Sequence, residues 1–587
     1  MLKIIKNFGK KEWILVVASF ILIFSQVYLE LKMPDYMAEI TKLVQSNGSK
    51  MAEIIANGLM MMLCAFGSLI GAIIVGYLIA NLTASFSKKL RKKLFNKVES
   101  LSLNEIKSFS TSSLITRTTN DITQIEMLIG MGLQLLIKAP ITAIWAITKI
   151  LNKSLEWSAI TAVAVVILLT VVAILTAIVV PKFKIVQKLT DKLNGVTREN
   201  LTGIKVVRAF NAEKYQERKF NEVNTKLTKQ QMFNQKTFAI FSPIMYMVMH
   251  LLTLSIYFVG ANLIKESLMA DKIGLFGDMV VFSSYAMQVI ISFLLLALVF
   301  MLLPRAQVSA ARINEVLDTK ISIKDGTLDI NDNDEIGTVE FKNVSFKYPD
   351  AEEYILKNIS FKVNKGETVA FIGSTGSGKS TLINLVPRFY DVTEGEVLVD
   401  GVNVKEYKLE SLYNKLGYVS QKAVIFNGSV NDNVSYGKSN KKITHNKIKE
   451  AIEIAQAKEF VENMDKKYNT ILSQGGTNIS GGQKQRISIA RAIAKDPEIY
   501  IFDDSFSALD YKTDSMLRHE LKKYTKDATT LIVAQRIGTI MHADKIIVLD
   551  NGNCVGIGTH KELLKTCDIY HQIAVSQITE EELENEG

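Results

Sequence analysis

The chain has 587 residues, enough for two or more domains, and 48% of them are hydrophobic. The formal net charge is +10, but clusters of basic residues lie beside apolar runs, which argues against a nucleic-acid partner. Only three cysteines occur, without metal-ligand spacing, so neither a disulfide framework nor a zinc site is expected.

The first half of the chain contains the long apolar stretches of a membrane protein. A bilayer-spanning helix needs roughly 20 mostly apolar residues. Lys138 and Lys149 interrupt the third such stretch, and their long side chains are expected to reach toward opposite membrane surfaces. An all-α membrane domain is therefore predicted, with six spans over residues 13–29, 54–87, 128–150, 157–181, 237–264 and 279–304.

Basic residues indicate which loops lie in the cytoplasm. They cluster in residues 3–11, 88–93 and 182–192, before the first span and after the second and fourth. The positive-inside rule places such clusters in the cytoplasm. We therefore expect a multi-pass plasma-membrane protein with both termini cytoplasmic, and the Lys-, Ile- and Asn-rich composition indicates a bacterial source. The long polar segments 88–127 and 182–236 predict helices that continue beyond the membrane.

After the last span the pattern changes to that of a soluble α/β domain. From residue 338, strand and helix signals alternate as in a domain with a largely parallel sheet. The predicted organisation is a transmembrane domain with long intracellular loops over 1–304, a linker over 305–335 and an α/β domain over 336–587.

A glycine-rich motif in the α/β domain predicts a phosphate-binding loop. Residues 373–380 read GSTGSGKS and fit the P-loop pattern between an apolar strand and a helical run. Backbone N–H groups and the helix start favour phosphate there. Lys379 is expected to reach the β- and γ-phosphates of ATP, and the Ser380 hydroxyl to bind Mg²⁺. The predicted nucleotide-contacting residues of this loop are Gly373, Ser374, Thr375, Gly376, Ser377, Gly378, Lys379, Ser380 and Thr381.

Two further segments carry a family resemblance. Residues 479–483 read ISGGQ, the signature sequence of ATP-binding cassette (ABC) proteins, and an apolar run leads into Asp503 and Asp504. From residue 341 to about residue 573 the chain resembles the nucleotide-binding domain of ABC transporters. Residues 1–304 resemble the six-helix domain of ABC exporters.

This resemblance implies roles for individual residues. Tyr348 would stack on adenine, and Gln421 and Asp503 would contact Mg²⁺. Two positions depart from the family pattern, because Asp504 replaces the catalytic Glu and Gln535 replaces the switch His. The ATP held by a second chain would be contacted by the signature residues Ser480, Gly481, Gly482 and Gln483.

The two departures predict ATP binding with slow hydrolysis. Asp is one methylene shorter than Glu, and a misplacement of about 1 Å can cost on the order of a hundredfold in rate. General-base help is itself worth roughly 10²–10⁴. Gln535 can hydrogen-bond a γ-phosphate oxygen but cannot become a cation. We therefore expect an ABC-type ATPase whose own site hydrolyses weakly.

An intact signature beside an altered site predicts a heterodimer. In ABC proteins each ATP lies between the P-loop of one domain and the signature of the other, and this chain carries one of each. The chain thus resembles the degenerate-site subunit of bacterial heterodimeric multidrug-type exporters, whose partner is a second half-transporter. The expected cargo is a lipophilic or drug-like molecule moved outward among membrane lipids.

Three alternatives stay open. A homodimeric lipid flippase would use Asp504 as a slow base. An importer with the exporter fold, such as a siderophore transporter, would move its cargo inward. An ATP-gated regulatory or channel subunit would bind ATP without driving accumulation of any cargo.

The resemblance also suggests coupling and cargo residues. Residues 203–211 resemble the second coupling helix, with Phe210 as an anchor on the partner's ATPase domain. The first coupling helix is expected near residues 108–114, and Lys138 matches a basic position facing the inner cavity. Helix packing is the commoner role for the apolar and amphipathic side chains of the fifth and sixth spans. Those considered for a cargo cavity are Met245, Tyr246, Met247, Met249, His250, Tyr285, Met287 and Gln288.

Overall fold

The computed structural model describes residues 2–45, 50–151, 155–266, 272–329, 336–437 and 443–577. The chain divides into two compact units, Met1–Glu99 with Thr111–Thr319 and Ser100–Ser110 with Lys320–Gly587. In chain order the helices are α1 (Leu2–Ile5), α2 (Lys10–Gln45), α3 (Met51–Glu99), α4 (Leu103–Ser108), α5 (Thr111–Thr118), α6 (Asn120–Met127), α7 (Leu133–Leu151), α8 (Leu155–Thr202), α9 (Ile204–Ala209), α10 (Glu213–Glu266), α11 (Lys272–Asp318), α12 (Lys379–Ile383), α13 (Leu409–Lys415), α14 (Val430–Val434), α15 (His445–Ile454), α16 (Lys458–Glu462), α17 (Gly481–Lys495), α18 (Tyr511–Tyr524), α19 (Ile537–Ile540), α20 (His560–Thr566) and α21 (Asp568–Val575). The strands are β1 (Val339–Phe346), β2 (Leu356–Val363), β3 (Thr368–Gly373), β4 (Glu394–Val399), β5 (Val402–Asn403), β6 (Leu416–Val419), β7 (Gly428–Ser429), β8 (Ile471–Leu472), β9 (Ile499–Asp503), β10 (Thr529–Val533), β11 (Lys545–Asp550) and β12 (Asn553–Gly558).

The first unit contains the membrane-spanning helices. The longest is α10 with 54 residues, or about 80 Å at 1.5 Å per residue, against a hydrocarbon core of about 30 Å. Such helices extend well beyond a bilayer. Each of the six predicted spans lies within one of the membrane-length segments given next, of which the third joins α5, α6 and α7. Within the described residues, the segments long and apolar enough to cross a membrane are Lys10–Gln45, Met51–Glu99, Thr111–Leu151, Leu155–Thr202, Glu213–Glu266 and Lys272–Asp318.

Apolar side chains of this unit lie both inside and outside the helix bundle. Phe282 of α11 is fully buried, and its ring centroid lies 5.2 Å from that of Trp157 in α8. Leu59, Phe66 and Ile73 on α3 are more than half exposed, as expected for side chains that contact lipid.

Lys138 and Lys149 each form an ion pair inside this unit. Lys138 Nζ donates to Glu30 Oε1 at 2.9 Å, and Lys149 Nζ donates to Asp35 Oδ2 at 2.8 Å. The buried Tyr285 hydroxyl donates to Asp35 Oδ1 at 2.6 Å. Both lysines thus pair with carboxylates of α2, and their reach toward opposite membrane surfaces stays a prediction. A charge within a bilayer costs less when an opposite charge accompanies it.

The boundaries between the two parts of the chain lie at other residues than the predicted limits at 304 and 335. The last long helix, α11, continues past residue 304 to Asp318, and the two units divide between Thr319 and Lys320. Residues 330–335 of the predicted linker lie outside the described residues. Helix α9 lies within the predicted coupling segment 203–211.

The short helix near the predicted first coupling segment lies earlier in the chain. It is α4, over Leu103–Ser108, whereas residues 108–114 span its end and the start of α5. A capping box explains this start, because Ser102 N–H donates to Glu105 Oε2 at 2.8 Å and the Ser102 side chain faces the same turn.

The second unit is built on a six-stranded sheet of order β12-β11-β3-β10-β9-β6, in which β12 pairs antiparallel with β11 and the other pairs are parallel. A four-stranded antiparallel sheet, β2-β1-β4-β5, accompanies it. All residues of β9 and β10 are buried, as continuous apolar strands of a covered parallel sheet should be. The predicted α/β fold is confirmed.

Strand register brings the chemically important segments to one edge of this sheet. Val533 at the end of β10 lies opposite Phe371 in β3 and Asp503 in β9. Val419 at the end of β6 lies opposite Phe502 in β9. Because these strands are parallel, the residues that follow them emerge side by side. The P-loop, Gln421, Asp504 and Gln535 all follow such strand ends.

Candidate nucleotide site

The predicted phosphate loop has the backbone that its sequence requires. It connects β3 to α12, and Gly373 and Gly378 have φ values of +154° and +97°. A Cβ at Gly373 would lie 1.9 Å from the Leu549 carbonyl oxygen, so only glycine fits there. The glycine therefore lets the start of the loop pack closely against β11.

The Lys379 ammonium lies within this loop. It donates to the carbonyl oxygens of Gly373 at 2.9 Å and Ser374 at 2.7 Å. Burial lowers the pKa of Lys379, and the nearby charges of Asp504 and Asp503 partly oppose that effect. The ammonium is thus held by polar loop atoms that a bound phosphate can replace.

Ser380 and Asp503 are brought together as their predicted metal-binding roles require. Ser380 Oγ donates to Asp503 Oδ1 at 2.7 Å, and Asp503 is buried. Burial raises the pKa of the Asp503 carboxyl. A hydroxyl and a carboxylate oxygen beside a phosphate loop are ligands that Mg²⁺ accepts while it keeps several waters. These residues therefore fit Mg²⁺ bound with ATP.

The two residues that depart from the family pattern contact each other. Gln535 Nε2 donates to Asp504 Oδ2 at 2.9 Å, and Gln421 Nε2 donates to the same oxygen at 3.1 Å. Asp504 is buried, with φ of +46°, and its N–H donates to the Val533 carbonyl oxygen at 3.0 Å. Asp tolerates this left-handed backbone better than most residues. One carboxylate oxygen thus receives two side-chain amides.

The predicted adenine contact lies in an aromatic cluster. The Tyr348 hydroxyl lies 3.1 Å from Thr381 Oγ1, and its ring meets that of Tyr390 edge to face. Lys107 Nζ, from α4, lies 4.9 Å from the Tyr348 ring centroid and 5.2 Å from that of Tyr390. A hydrogen bond with Tyr390 is the main cause of the raised pKa of Lys107.

Sequence reasoning missed Lys107, because nothing in its local sequence connects it with Tyr348. Its ammonium over both rings is a cation–π contact. A residue from the segment between two membrane helices therefore borders the predicted adenine contact.

The signature segment begins helix α17 and is separate from the strand-end cluster. Ser480 is the N-cap residue, and its Oγ accepts from Gln483 N–H at 3.3 Å. Gln483 Oε1 accepts from Ser480 N–H at 2.9 Å, which completes a capping box. The helix amino terminus, at Gly481 and Gly482, favours an anion by its dipole. Contact with the ATP of a second chain stays a prediction for these residues.

The phosphate loop, the strand-end carboxylates and the signature helix together define an ATP-binding cassette. A family model described as ABC transporter matches residues 356–507, and one described as ABC transporter transmembrane region matches residues 14–293. The chain therefore belongs to the ABC transporter family. It is an ATP-hydrolysing transporter with a membrane domain and an ATPase domain fused in one chain.

Several curated proteins are similar along most of their length. An uncharacterized ABC transporter ATP-binding protein of Mycobacterium tuberculosis is 37% identical over 517 residues, covering 88% of this chain and 86% of that protein. A Bacillus subtilis protein, provisionally named a multidrug export ATP-binding/permease protein, is 34% identical over 495 residues, or 81% of each chain. The ATP-dependent lipid A-core flippase of Pseudomonas aeruginosa is 32% identical over 510 residues, covering 86% of this chain and 82% of the flippase.

A solved structure shows the same fold over nearly the whole chain. It is that of a bacterial Atm1-family ABC exporter with ATP bound. The TM-score is 0.82 at 23% sequence identity, covering 96% of this chain and 99% of that chain. The predicted exporter fold, six membrane helices followed by an ATPase domain, is thus confirmed.

Proposed function

We propose that this chain is one half of a two-chain ABC exporter of the plasma membrane, with its ATPase domain in the cytoplasm. Its own P-loop holds ATP and hydrolyses it slowly, while its signature completes the hydrolytic site of a different half-transporter. The asymmetry is proposed because the departures from the family pattern affect the hydrolytic positions of one site and spare the signature.

The contact of Gln421 and Gln535 with Asp504 is the observation that carries this proposal. Both amides donate to Asp504 Oδ2. That oxygen must give up or lengthen at least one of these hydrogen bonds before it can accept a proton from water. The shorter Asp side chain also limits the reach of the carboxylate toward the γ-phosphate.

The remaining residues supply the means to hold ATP. Lys379 and the loop N–H groups would meet the phosphates, and Tyr348 would stack on the base. Ser380 and Asp503 would hold Mg²⁺, which supplies charge neutralisation at the phosphates when it is bound. The Gln421 side chain would contact Mg²⁺ through its amide oxygen while its Nε2 donates to Asp504. The same amide would thus connect the metal site with the Asp504 carboxylate.

The proposed cargo is a lipophilic or drug-like molecule. Similarity to the provisionally named multidrug export protein of B. subtilis supports this class. Similarity to the lipid A-core flippase of P. aeruginosa favours a second candidate, a homodimeric flippase for lipids. The two differ in a measurable way, because a homodimer turns over ATP without a different partner.

The test compares one substitution in each chain of the two-chain assembly, purified with the half-transporter that copurifies with this chain. Asp504→Asn should change steady-state ATPase by less than about twofold, whereas Glu→Gln at the corresponding partner position should reduce it by about 100-fold or more. Lys379→Ala serves as a control that shows whether ATP must occupy this chain's site.

The opposite pattern would reject the asymmetric assignment. If Asp504→Asn alone abolishes turnover, Asp504 is a working base and the homodimeric flippase becomes the better description. ATPase activity of the chain purified without any different half-transporter leads to the same conclusion. Vesicle assays with a fluorescent lipid and with a lipophilic dye then separate the two cargo classes.

A further inference from the structure

The side chain of Gln577 bridges two backbone groups next to Gln535. Its Nε2 donates to the Gln535 carbonyl oxygen at 2.9 Å, and its Oε1 accepts from the Ile537 N–H at 2.9 Å. A primary amide can do both at once, whereas a carboxylate lacks the donor and an ammonium lacks the acceptor. Gln577 therefore fixes the backbone on both sides of Arg536.

Gln577 supplies a cap that helix α19 does not provide for itself. Ile537 is the first residue of α19, and the first N–H groups of a helix have no partner within it. The N-cap residue Arg536 makes no side-chain capping hydrogen bond. Gln577 thus satisfies the Ile537 N–H from a different helix, in the way an N-cap side chain normally does.

The helix that presents Gln577 is firmly anchored. Tyr570 and Ala574 of α21 are fully buried in the same hydrophobic cluster as Ile537 and Ile540 of α19. The Tyr570 hydroxyl also lies 2.6 Å from His560 Nδ1 in α20. Gln577 lies two residues after the end of α21, so the buried side chains of this helix limit the movement of its amide.

The restrained backbone carries the side chain that reaches Asp504. Gln535 Nε2 donates to Asp504 Oδ2 at 2.9 Å, so a shift of about 1 Å in the Gln535 backbone would lengthen this bond beyond a useful range. Within α19, Arg518 Nη1 donates to the Gly538 carbonyl oxygen at 2.7 Å. Gln577 and Arg518 thus both restrain this segment.

We infer that Gln577 is a positioning residue that sets how well this nucleotide site distinguishes ATP from ADP. It acts through Gln535, whose amide lies beside Asp504 where the γ-phosphate would be. This inference rests on the proposed function in one respect, the placement of the γ-phosphate near Gln535. It adds that the segment directly after α21 controls the position of that amide.

The experiment measures equilibrium binding of two nucleotides to the intact two-chain assembly. Radiolabelled azido-ATP is crosslinked to this chain, which a gel separates from its partner, and is displaced by β,γ-imido-ATP or by ADP with Mg²⁺. For Gln577→Ala, affinity for β,γ-imido-ATP should fall about 3- to 10-fold, with ADP affinity changed less than about twofold. A purely structural role would weaken both nucleotides alike.

Two further variants test the amide donor of Gln577 and control for general changes in α21. Gln577→Glu keeps an acceptor for the Ile537 N–H but has no donor for the Gln535 carbonyl, so it should behave like Gln577→Ala. Gln572→Ala changes an exposed Gln of α21, which makes neither of these contacts, and should leave both affinities unchanged. Equal losses for both nucleotides, or no loss in either Gln577 variant, would overturn the inference.

The outcome is independent of the hydrolysis test, since the imido analogue is not cleaved. Asp504 can prove to be a working base while Gln577 still sets the ATP-to-ADP ratio. Conversely, the asymmetric assignment can stand while the ratio is unchanged in the Gln577 variants. The two failures are therefore distinguishable.

Discussion

The ATPase domain presents two surfaces that bear on bound phosphate, one at the strand ends and one at the start of α17. The strand-end surface keeps the P-loop, Ser380 and Asp503 but has Asp504 and Gln535 at the hydrolytic positions. The surface at α17 keeps the complete ISGGQ signature, closed by a reciprocal capping box. Residues predicted to hold nucleotide are thus retained on both surfaces, and the changes concern only the groups predicted to act on water and the γ-phosphate.

The largest effect is expected from a negative charge at the signature helix. Gly481→Asp should lower steady-state ATPase of the two-chain assembly by about 100-fold or more, because a carboxylate there repels the partner's bound phosphate. Asp in the first turn favours a helix, so α17 itself should remain folded. Turnover measured with saturating ATP checks this.

The matched control is Gly481→Ala. A Cβ at this position meets no atom within 4 Å, so the alanine variant should fold and keep most of the turnover. Equal losses in both variants would mean that bulk rather than charge is responsible. Full activity of Gly481→Asp would show that the signature does not contact the ATP that is hydrolysed. The proposed difference between the two surfaces would then be wrong.

A smaller effect is expected from restoring the family residues at the altered surface. Asp504→Glu with Gln535→His should raise single-turnover hydrolysis at this chain's site by about 10-fold or more, when the partner's site has been inactivated. The single changes should give much less, because Asp504 and Gln535 touch each other and are not expected to act additively. Quenched-flow analysis of nucleotide bound to this chain gives the rates.

The single variants serve as the controls for this exchange. Asp504→Glu alone places a longer side chain against the amides of Gln421 and Gln535, at a backbone with φ of +46° that suits Asp. If either single variant equals the double variant, the two positions are independent. If the double variant is no faster than the unmodified chain, the surface is impaired by something other than these two side chains.

Local patterns predicted much of this site. The P-loop is one continuous motif, and strand and helix signals placed it between β3 and α12. The segments of Gln421, Asp504 and Gln535 follow buried apolar strands, so the parallel sheet brings them together. The spans of the membrane domain could also be predicted, because a long apolar stretch identifies a membrane helix by its composition alone.

Contacts between distant residues were not predictable in this way. Gln535 meets Asp504 across 31 positions, Gln577 meets the Gln535 carbonyl across 42, and Lys138 meets Glu30 across 108. Each pairing depends on three-dimensional packing that a periodic pattern does not encode. Glu30 and Asp35, just beyond the first predicted span, could have indicated partners for Lys138 and Lys149. The sequence around Lys107 and Gln577 gives no comparable indication of their contacts.

The smallest effect is expected at the predicted adenine contact. Tyr348→Ala should weaken ATP binding to this chain by about 5- to 10-fold, because stacking of a base on an aromatic ring is worth about 1 kcal/mol or more. Tyr348→Phe keeps the ring and loses only the hydroxyl that lies 3.1 Å from Thr381 Oγ1, so its affinity should change less than about twofold. Displacement of azido-ATP from this chain measures both. Steady-state turnover should fall less than affinity, since Tyr348 belongs to the site proposed to be slow and not to the one that the signature is proposed to complete. A loss of turnover as large as that of Gly481→Asp would show that the two surfaces act as one hydrolytic unit.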